Sequence, residues 1–209
     1  VSGIFGRFVP QSVVDAMIAG NGTLDPVERE ATVLFADIAG FTKMTERAGP
    51  AKTLEILNVY FDEVTRIIGE HNGIVTQFHG DAVLATFNVP VPDAEHASNA
   101  FKAARMMLAR VSDHEFAGER IQIRIGINTG PLVAGNVGGG GRQSYSVYGD
   151  TVNVAARLET LCKDHDTSLL LSATTAKALP YEDLVATGDI TIRGHKESVT
   201  VFSIRDKDG

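Results

Sequence analysis

The sequence predicts an α+β fold built on a split βαβ sheet, and three observations carry that prediction. Thr32–Ala36 is a nearly continuous apolar run, which is how a strand buried on both faces reads. Leu54, Leu57, Phe61, Val64, Ile67 and Ile68 recur at spacings of three and four, the stripe of an amphipathic helix. Ile74–Phe78 and Ala82–Phe87 are joined only by His79-Gly80-Asp81, a link short enough to require an antiparallel hairpin.

Taken in order, the chain opens with Val13, Val14, Met17 and Ile18 at helical spacing, after which GNGTLDP breaks the pattern. This makes residues 1–26 a helix and linker, and 27–206 the main domain. The helix over Leu54–Ile68 follows the first strand and stops at the turn His71-Asn72-Gly73. Beyond the hairpin, Pro90 and Pro92 interrupt the chain before a second long helix, Asp93–Val111, with Ala97, Ala100, Phe101, Ala104, Met107 and Leu108 inward. Ile121, Ile123, Ile125 and Ile127 alternate with polar or small residues, a strand that runs on through Gly130 and Pro131 into Leu132–Val137. The order βαββαβ with its antiparallel hairpin is that of a ferredoxin-like sheet with helices on its face, and not of a doubly wound one. A third helix, Asp150–Cys162, turns Val152, Val154, Ala155, Leu158 and Leu161 inward. A C-terminal strand-helix-strand extension lengthens the sheet: Ser168–Leu171, then Ala173–Leu179 capped by Ser172, then Leu184–Ile192 and Val199–Ile204.

Composition narrows the function. The 209 residues suit one domain with an extension, large enough to bury a core without staples. A formal charge of -7 gives no basic face for nucleic acid and no run of charge for an anionic membrane. Cys162 is the single cysteine, which excludes an intrachain disulfide or a cysteine metal cluster and suits a reducing, cytoplasmic setting. No apolar run has membrane-spanning length, and the first residues lack a signal-peptide pattern. The chain is therefore expected to be soluble, and its start at Val1 rather than Met suggests that it was cut from a longer polypeptide or lost its first residues.

Two apolar segments each deliver one aspartate: Asp37 at the end of the first strand and Asp81 at the hairpin tip. Hard cations such as Mg²⁺ and Mn²⁺ take carboxylate oxygens and leave room for substrate phosphates, so the pair suits a nucleotide site. The plain alternative is two solvated strand-end acids. Ile38–Thr42 is a small-residue turn directly after Asp37, where Gly40 lets backbone N–H groups approach phosphate oxygens. Asn153 and Arg157, four apart on the third helix, share a face and can reach one ligand together, or else simply form a solvated pair. Gly138–Gly141 lacks the Lys-Ser/Thr that follows in a P-loop and reads as a hairpin tip.

FADIAGFT, FHGDA, IRIGINTGPLVAGNVG and YSVYGDTVNVAARLE together resemble the catalytic domain of the class III adenylyl and guanylyl cyclases, over roughly Glu30 to Arg205. The resemblance implies a head-to-tail homodimer that binds ATP or GTP between protomers. It further implies two Mg²⁺ or Mn²⁺ ions per site on Asp37, Asp81 and the Ile38 carbonyl, with Gly40, Phe41 and Thr42 on the triphosphate. Asn153 and Arg157 would arrive from the partner, Arg157 steadying charge on the α-phosphate as the ribose 3′-hydroxyl attacks it and pyrophosphate leaves. Lys196, beside Arg193 and His195, is the candidate for the terminal phosphates. The opening GIFGRFVPQSVVDAMI resembles segments that join sensor or membrane modules to such domains.

The base-recognition pair departs from the adenylyl pattern. The family's usual lysine falls on Gln77 and its usual aspartate on Ser146. Adenine presents an acceptor at N1 and a donor at its 6-amino group, which Lys and Asp complement, while guanine reverses both. Gln77 and Ser146 can each donate or accept; a Glu at the first position would have favoured guanine, and its absence leaves ATP the expected substrate, with weaker discrimination against GTP. The alternatives are a guanylyl cyclase and an idle nucleotide-binding domain. A diguanylate cyclase is discounted because no GGDEF string occurs.

Overall fold

The computed structural model describes residues 25–139, 142–180, 182–191 and 198–204. Strand β1 (Val27–Ile38) lies at the centre of an eight-stranded sheet, and its alternation decides what each face carries. Leu34, Ala36 and Ile38 point to one side, into a core shared with helices α1 (Phe41–Ala48), α2 (Pro50–Glu70) and α3 (His96–Asp113). Ala31, Val33 and Phe35 point to the other.

Strands β2 (Ile74–His79) and β3 (Ala82–Phe87) form the predicted hairpin, and β3 runs antiparallel to β1 with Ala36 opposite Val83. On its other edge β1 pairs antiparallel with β4 (Ile123–Gly139), Asp37 opposite Arg124. The order β2-β3-β1-β4 inserts β3 between β1 and β2, and β1 between β3 and β4, which is the split βαβ arrangement predicted. Beyond β4 come β6 (Leu169–Ser172), parallel to it, then β8 (Ser198–Ile204) and β7 (Leu184–Thr191). The short helix α5 (Ala173–Lys177) is capped by Ser172, whose Oγ accepts from the Thr175 N–H at 3.2 Å.

Strand β5 (Arg142–Tyr148) pairs with the far half of β4, so the glycine run does sit at a hairpin tip; Gly140 and Gly141 lie outside the described residues. This arm folds over the second face of the sheet, where Tyr145 and Val147 pack with Val33, Ile74 and Leu84. Helix α4 (Asp150–Leu161) covers the rest of that face, with Ala155 against β1 and Leu158 and Leu161 against β6 and β8.

Three boundaries differ from the sequence reading. β1 begins at Val27 because β4 continues unbroken through Pro131 and pairs with all of its polar start, Arg29 opposite Leu132. The turn after Asp37 runs into a separate eight-residue helix, α1, before Gly49 and Pro50 start α2. α3 starts at His96 rather than Asp93, because the Asp93 carboxylate accepts from the Glu95 N–H at 3.0 Å and the Asn99 side chain at 2.8 Å, holding a non-helical turn. The proposed helix before Thr23 lies outside the described residues.

Candidate active site

Asp37 and Asp81 come together at one end of β1. The β1–β3 register places Asp81 across from Ile38, and Asp81 Oδ2 accepts from the Ile38 N–H at 3.0 Å. A carboxylate thus takes the place of a ladder carbonyl. Burial pushes the Asp81 carboxyl above its usual range and the neighbouring Asp37 charge adds to this, while hydrogen bonds from the Ile38 and Asp81 amides oppose it.

Asp37 falls on the α4 side by alternation with Val33 and Phe35, and there it meets two groups that the sequence reading missed. Arg124 lies directly across on β4. Glu159, on the inward face of α4, is only 8% exposed and lies near enough to Asp37 for the two acids to interact. Asp37 Oδ1 and Glu159 Oε1 are both buried and neither has a hydrogen-bond partner. The Glu159 carboxyl is pushed up to about 8, by burial first and then by Asp37, with Thr160 and Arg124 pulling the other way. The signal for Glu159 was present: it lies four residues after inward Ala155 and seven after Val152, an acid on an otherwise apolar stripe.

Tyr60 of α2 supplies a third unexpected neighbour. It is fully buried, its hydroxyl has no hydrogen-bond partner, and burial with the charges of Asp37 and Asp81 keeps the phenol protonated. Phe61 at 5.5 Å and Phe116 at 6.0 Å between ring centroids fix its position.

The two aspartates fit a hard divalent cation. Their oxygens are the right donors, one buried Asp37 oxygen has no N–H or O–H donor, and such ions keep sites for water and substrate phosphate. Among the described residues no group of three or more His, Cys, Asp or Glu side chains converges as metal ligands.

The turn after Asp37 is built as the sequence reading expected. Gly40 adopts φ 71° and ψ 23°, a left-handed conformation that favours glycine, and leads into the N-terminus of α1 without a side-chain cap. The first N–H groups of α1, at Phe41 and Thr42, therefore have no partner within the helix.

Asn153 and Arg157 are both exposed on α4, on the side away from the sheet. Gln77 is exposed in β2 at an irregularity where Thr76 and Gln77 together oppose Leu84, a bulge that re-aims its side chain. Ser146 is partly exposed in β5, between the inward Tyr145 and Val147. Lys196, Arg193 and His195 lie outside the described residues. Cys162 is buried, and burial pushes its thiol up to about 12, so it is a packing residue with Sγ donating to the Ile125 carbonyl at 3.4 Å. A cavity of about 710 Å³ near Glu30, His96, Thr129 and Lys177 lies toward the other end of β1 and contains none of the predicted site residues.

With this sheet and these side chains in place, the chain belongs to the family of adenylate and guanylate cyclase catalytic domains, whose sequence profile matches residues 26–205. Adenylate cyclase 1 of Rhizobium meliloti (strain 1021) is 33% identical over 208 residues, covering 96% of this chain and 31% of that protein. The chain thus spans about a third of the length of the curated relatives it matches. Among solved structures, a bacterial light-regulated adenylyl cyclase superposes with a TM-score of 0.84 at 25% identity, over 97% of this chain and 60% of that one. The adenylyl cyclase CyaB from P. aeruginosa gives 0.76 at 27% identity, over 88% and 97%. The guanylate cyclase domain of RhGC from Catenaria anguillulae, in complex with GTP, gives 0.77 at 27%, over 86% and 100%.

Proposed function

We propose that the chain is an adenylyl cyclase catalytic domain that converts ATP to 3′,5′-cyclic AMP and pyrophosphate at sites shared between two copies. Helix α4 carries this reading. Glu159 faces the chain's own Asp37, whereas Arg157 lies about 200° round the helix at 3.6 residues per turn and is exposed. Arg157 and Asn153 therefore point away from the aspartates of their own chain. A twofold homodimer can set each outward pair against the other copy's aspartates, giving two equivalent sites.

In this reading Asp37, Asp81 and the Ile38 carbonyl hold Mg²⁺ or Mn²⁺, two ions per site. When bound, the ions supply the charge neutralisation and the acidified 3′-hydroxyl that in-line attack on the α-phosphate requires. The chain's own residues position the rest. The N–H groups after Gly40, at Phe41 and Thr42, take triphosphate oxygens. Arg157 of the second copy grips α-phosphate oxygens through its planar fork, and Asn153 hydrogen-bonds the same ligand. Lys196 is assigned to the terminal phosphates, which leave as pyrophosphate.

Gln77 and Ser146 hold the base. Each can donate or accept, which gives weak exclusion of GTP, and the absence of a Glu at position 77 supports ATP as substrate. The same pair supports a second reading, an idle nucleotide-binding domain, because neither residue supplies a fixed charge. The greater length of the relatives supports an upstream sensor or membrane module acting through residues 1–26, with the catalytic domain on the cytoplasmic side where ATP is available. Among the described residues no helix is long and apolar enough to cross a membrane.

The test is the purified chain with Mn²⁺, given ATP or GTP separately, with cyclic product resolved by chromatography. Cyclic AMP from ATP, with less cyclic GMP from GTP, is the expected result. Bound nucleotide without product would replace this reading with the idle domain, and predominant cyclic GMP with a guanylyl cyclase.

A further inference from the structure

Strand β2 ends in three exposed residues, Gln77, Phe78 and His79, and their alternation sorts them by face. Phe78 turns to the α2 side, where its ring centroid lies 4.4 Å from that of Phe61. Gln77 and His79 turn to the other side, opposite Leu84 and Ala82 of β3. Leu84 packs there with Tyr145 and Val147 of β5, so this is the face that the Ser146-bearing arm covers. His79 lies beyond that cluster: its cross-strand neighbour Ala82 is too small to cover an imidazole, and the side chain is exposed. Gly80, at φ 63°, then turns the chain to Asp81. The imidazole thus stands on the face of Gln77 and about 7 Å further along β2 at two residues' rise, toward the hairpin tip that carries Asp81.

We propose that His79 is a base-binding residue: its imidazole lies flat against the purine that Gln77 addresses and holds it by stacking. This deepens the proposed function and rests on Gln77 facing the base there. Gln77 and Ser146 carry no charge, so their hydrogen bonds to a base replace bonds to water and add little net affinity. A flat ring supplies what they lack, since every base has a π-face and stacking needs neither charge nor a particular donor pattern. The other exposed rings of this region are engaged. Phe78 lies against Phe61 on the opposite face, and Tyr148, two residues after Ser146, is paired with Val133 across the β4–β5 arm. Stacking favours adenine and guanine alike, so His79 adds affinity for both nucleotides and selectivity for neither. That complements two base contacts that can each donate or accept.

The experiment compares His79→Ala, His79→Gln and His79→Phe by calorimetry with Mn²⁺. The probes are 3′-deoxy-ATP and 3′-deoxy-GTP, which lack the attacking hydroxyl, and inorganic tripolyphosphate, which has the phosphates but no base. Far-UV circular dichroism checks the fold and sedimentation the assembly. His79→Ala and His79→Gln should weaken both nucleotides roughly tenfold, His79→Phe should bind them near wild type, and tripolyphosphate should bind all four chains alike. Nucleotide binding unchanged in His79→Ala, or weakened equally by all three variants, would overturn the inference and leave the nucleotide site standing. Rescue by Gln but not by Phe would overturn it in favour of a hydrogen bond, and equal weakening of tripolyphosphate in favour of a phosphate contact. Weakening that comes with a shift toward monomer would overturn it in favour of an interface contact. Wild-type chain that binds neither 3′-deoxynucleotide would remove the nucleotide site itself.

Discussion

Asp37 is held between a cross-strand cation, Arg124, and a neutral acid, Glu159, and this setting makes the metal-free chain sensitive to pH. The Glu159 carboxyl moves up from 4.5 to about 8 on folding. A raised carboxyl pKa means the folded state binds the proton more tightly, so its contribution is whole below pH 4.5 and is lost as pH rises through 8. In chelator, the wild type should therefore lose thermal stability relative to Glu159→Gln between pH 5 and pH 9, read as a widening gap in Tm. At the catalytic level Asp37→Ala should reduce cyclic AMP formation roughly a thousandfold or more, with the far-UV spectrum retained. Gln77→Lys should raise the ATP-over-GTP ratio of kcat/KM roughly tenfold, since a lysine donates to adenine N1 but meets another donor at guanine N1–H; an unchanged ratio would take Gln77 off the base. The meeting of Asp37 and Asp81 at one end of β1 was legible in the sequence from a strand end and a hairpin tip, and the shared exposed face of Asn153 and Arg157 from their spacing of four. Tyr60 was not, because what makes it informative is its nearness to the two aspartates from an element far away in the chain, and Glu159 showed only as an acid on an apolar stripe.

At the scale of elements, α4 depends on a glycine in another element. Gly126→Ala places a Cβ against backbone atoms that cannot rotate away, and should destabilise the fold by about 2 kcal/mol or more, measured by chemical denaturation. The periodicity of α2, α3 and α4 announced them because each has a broad apolar face on the sheet. Helix α1 was invisible for the opposite reason: among its eight residues only Met44 is buried, and two glycines bound it. The polar start of β1 was missed because Val27–Glu30 owes its strand conformation to pairing with β4, not to its own side chains. The β4–β5 arm carries exposed Val133, Val137 and Tyr148. An exposed apolar strip on this arm suits an interface between copies, so Val133→Asp with Val137→Asp should shift sedimentation toward monomer and lower activity in proportion.

The molecule as a whole is half of a symmetrical machine in this account. One face of the sheet is closed by α1, α2 and α3, the other by α4 and the folded-back arm, and the two functional halves emerge on different sides of α4. The split βαβ order was readable because local signals fix the hairpin and the helices between strands; the outward direction of Arg157 emerged only once Glu159 was seen to occupy the inward one. Mixing Asp37→Ala chains with Arg157→Ala chains tests the shared site most directly, because each alone lacks one half of every site. An equal mixture that re-equilibrates should regain about a quarter of wild-type cyclic AMP formation, since half of its dimers are mixed and each mixed dimer holds one intact site. No recovery in a mixture shown to contain mixed dimers would contradict the shared-site account.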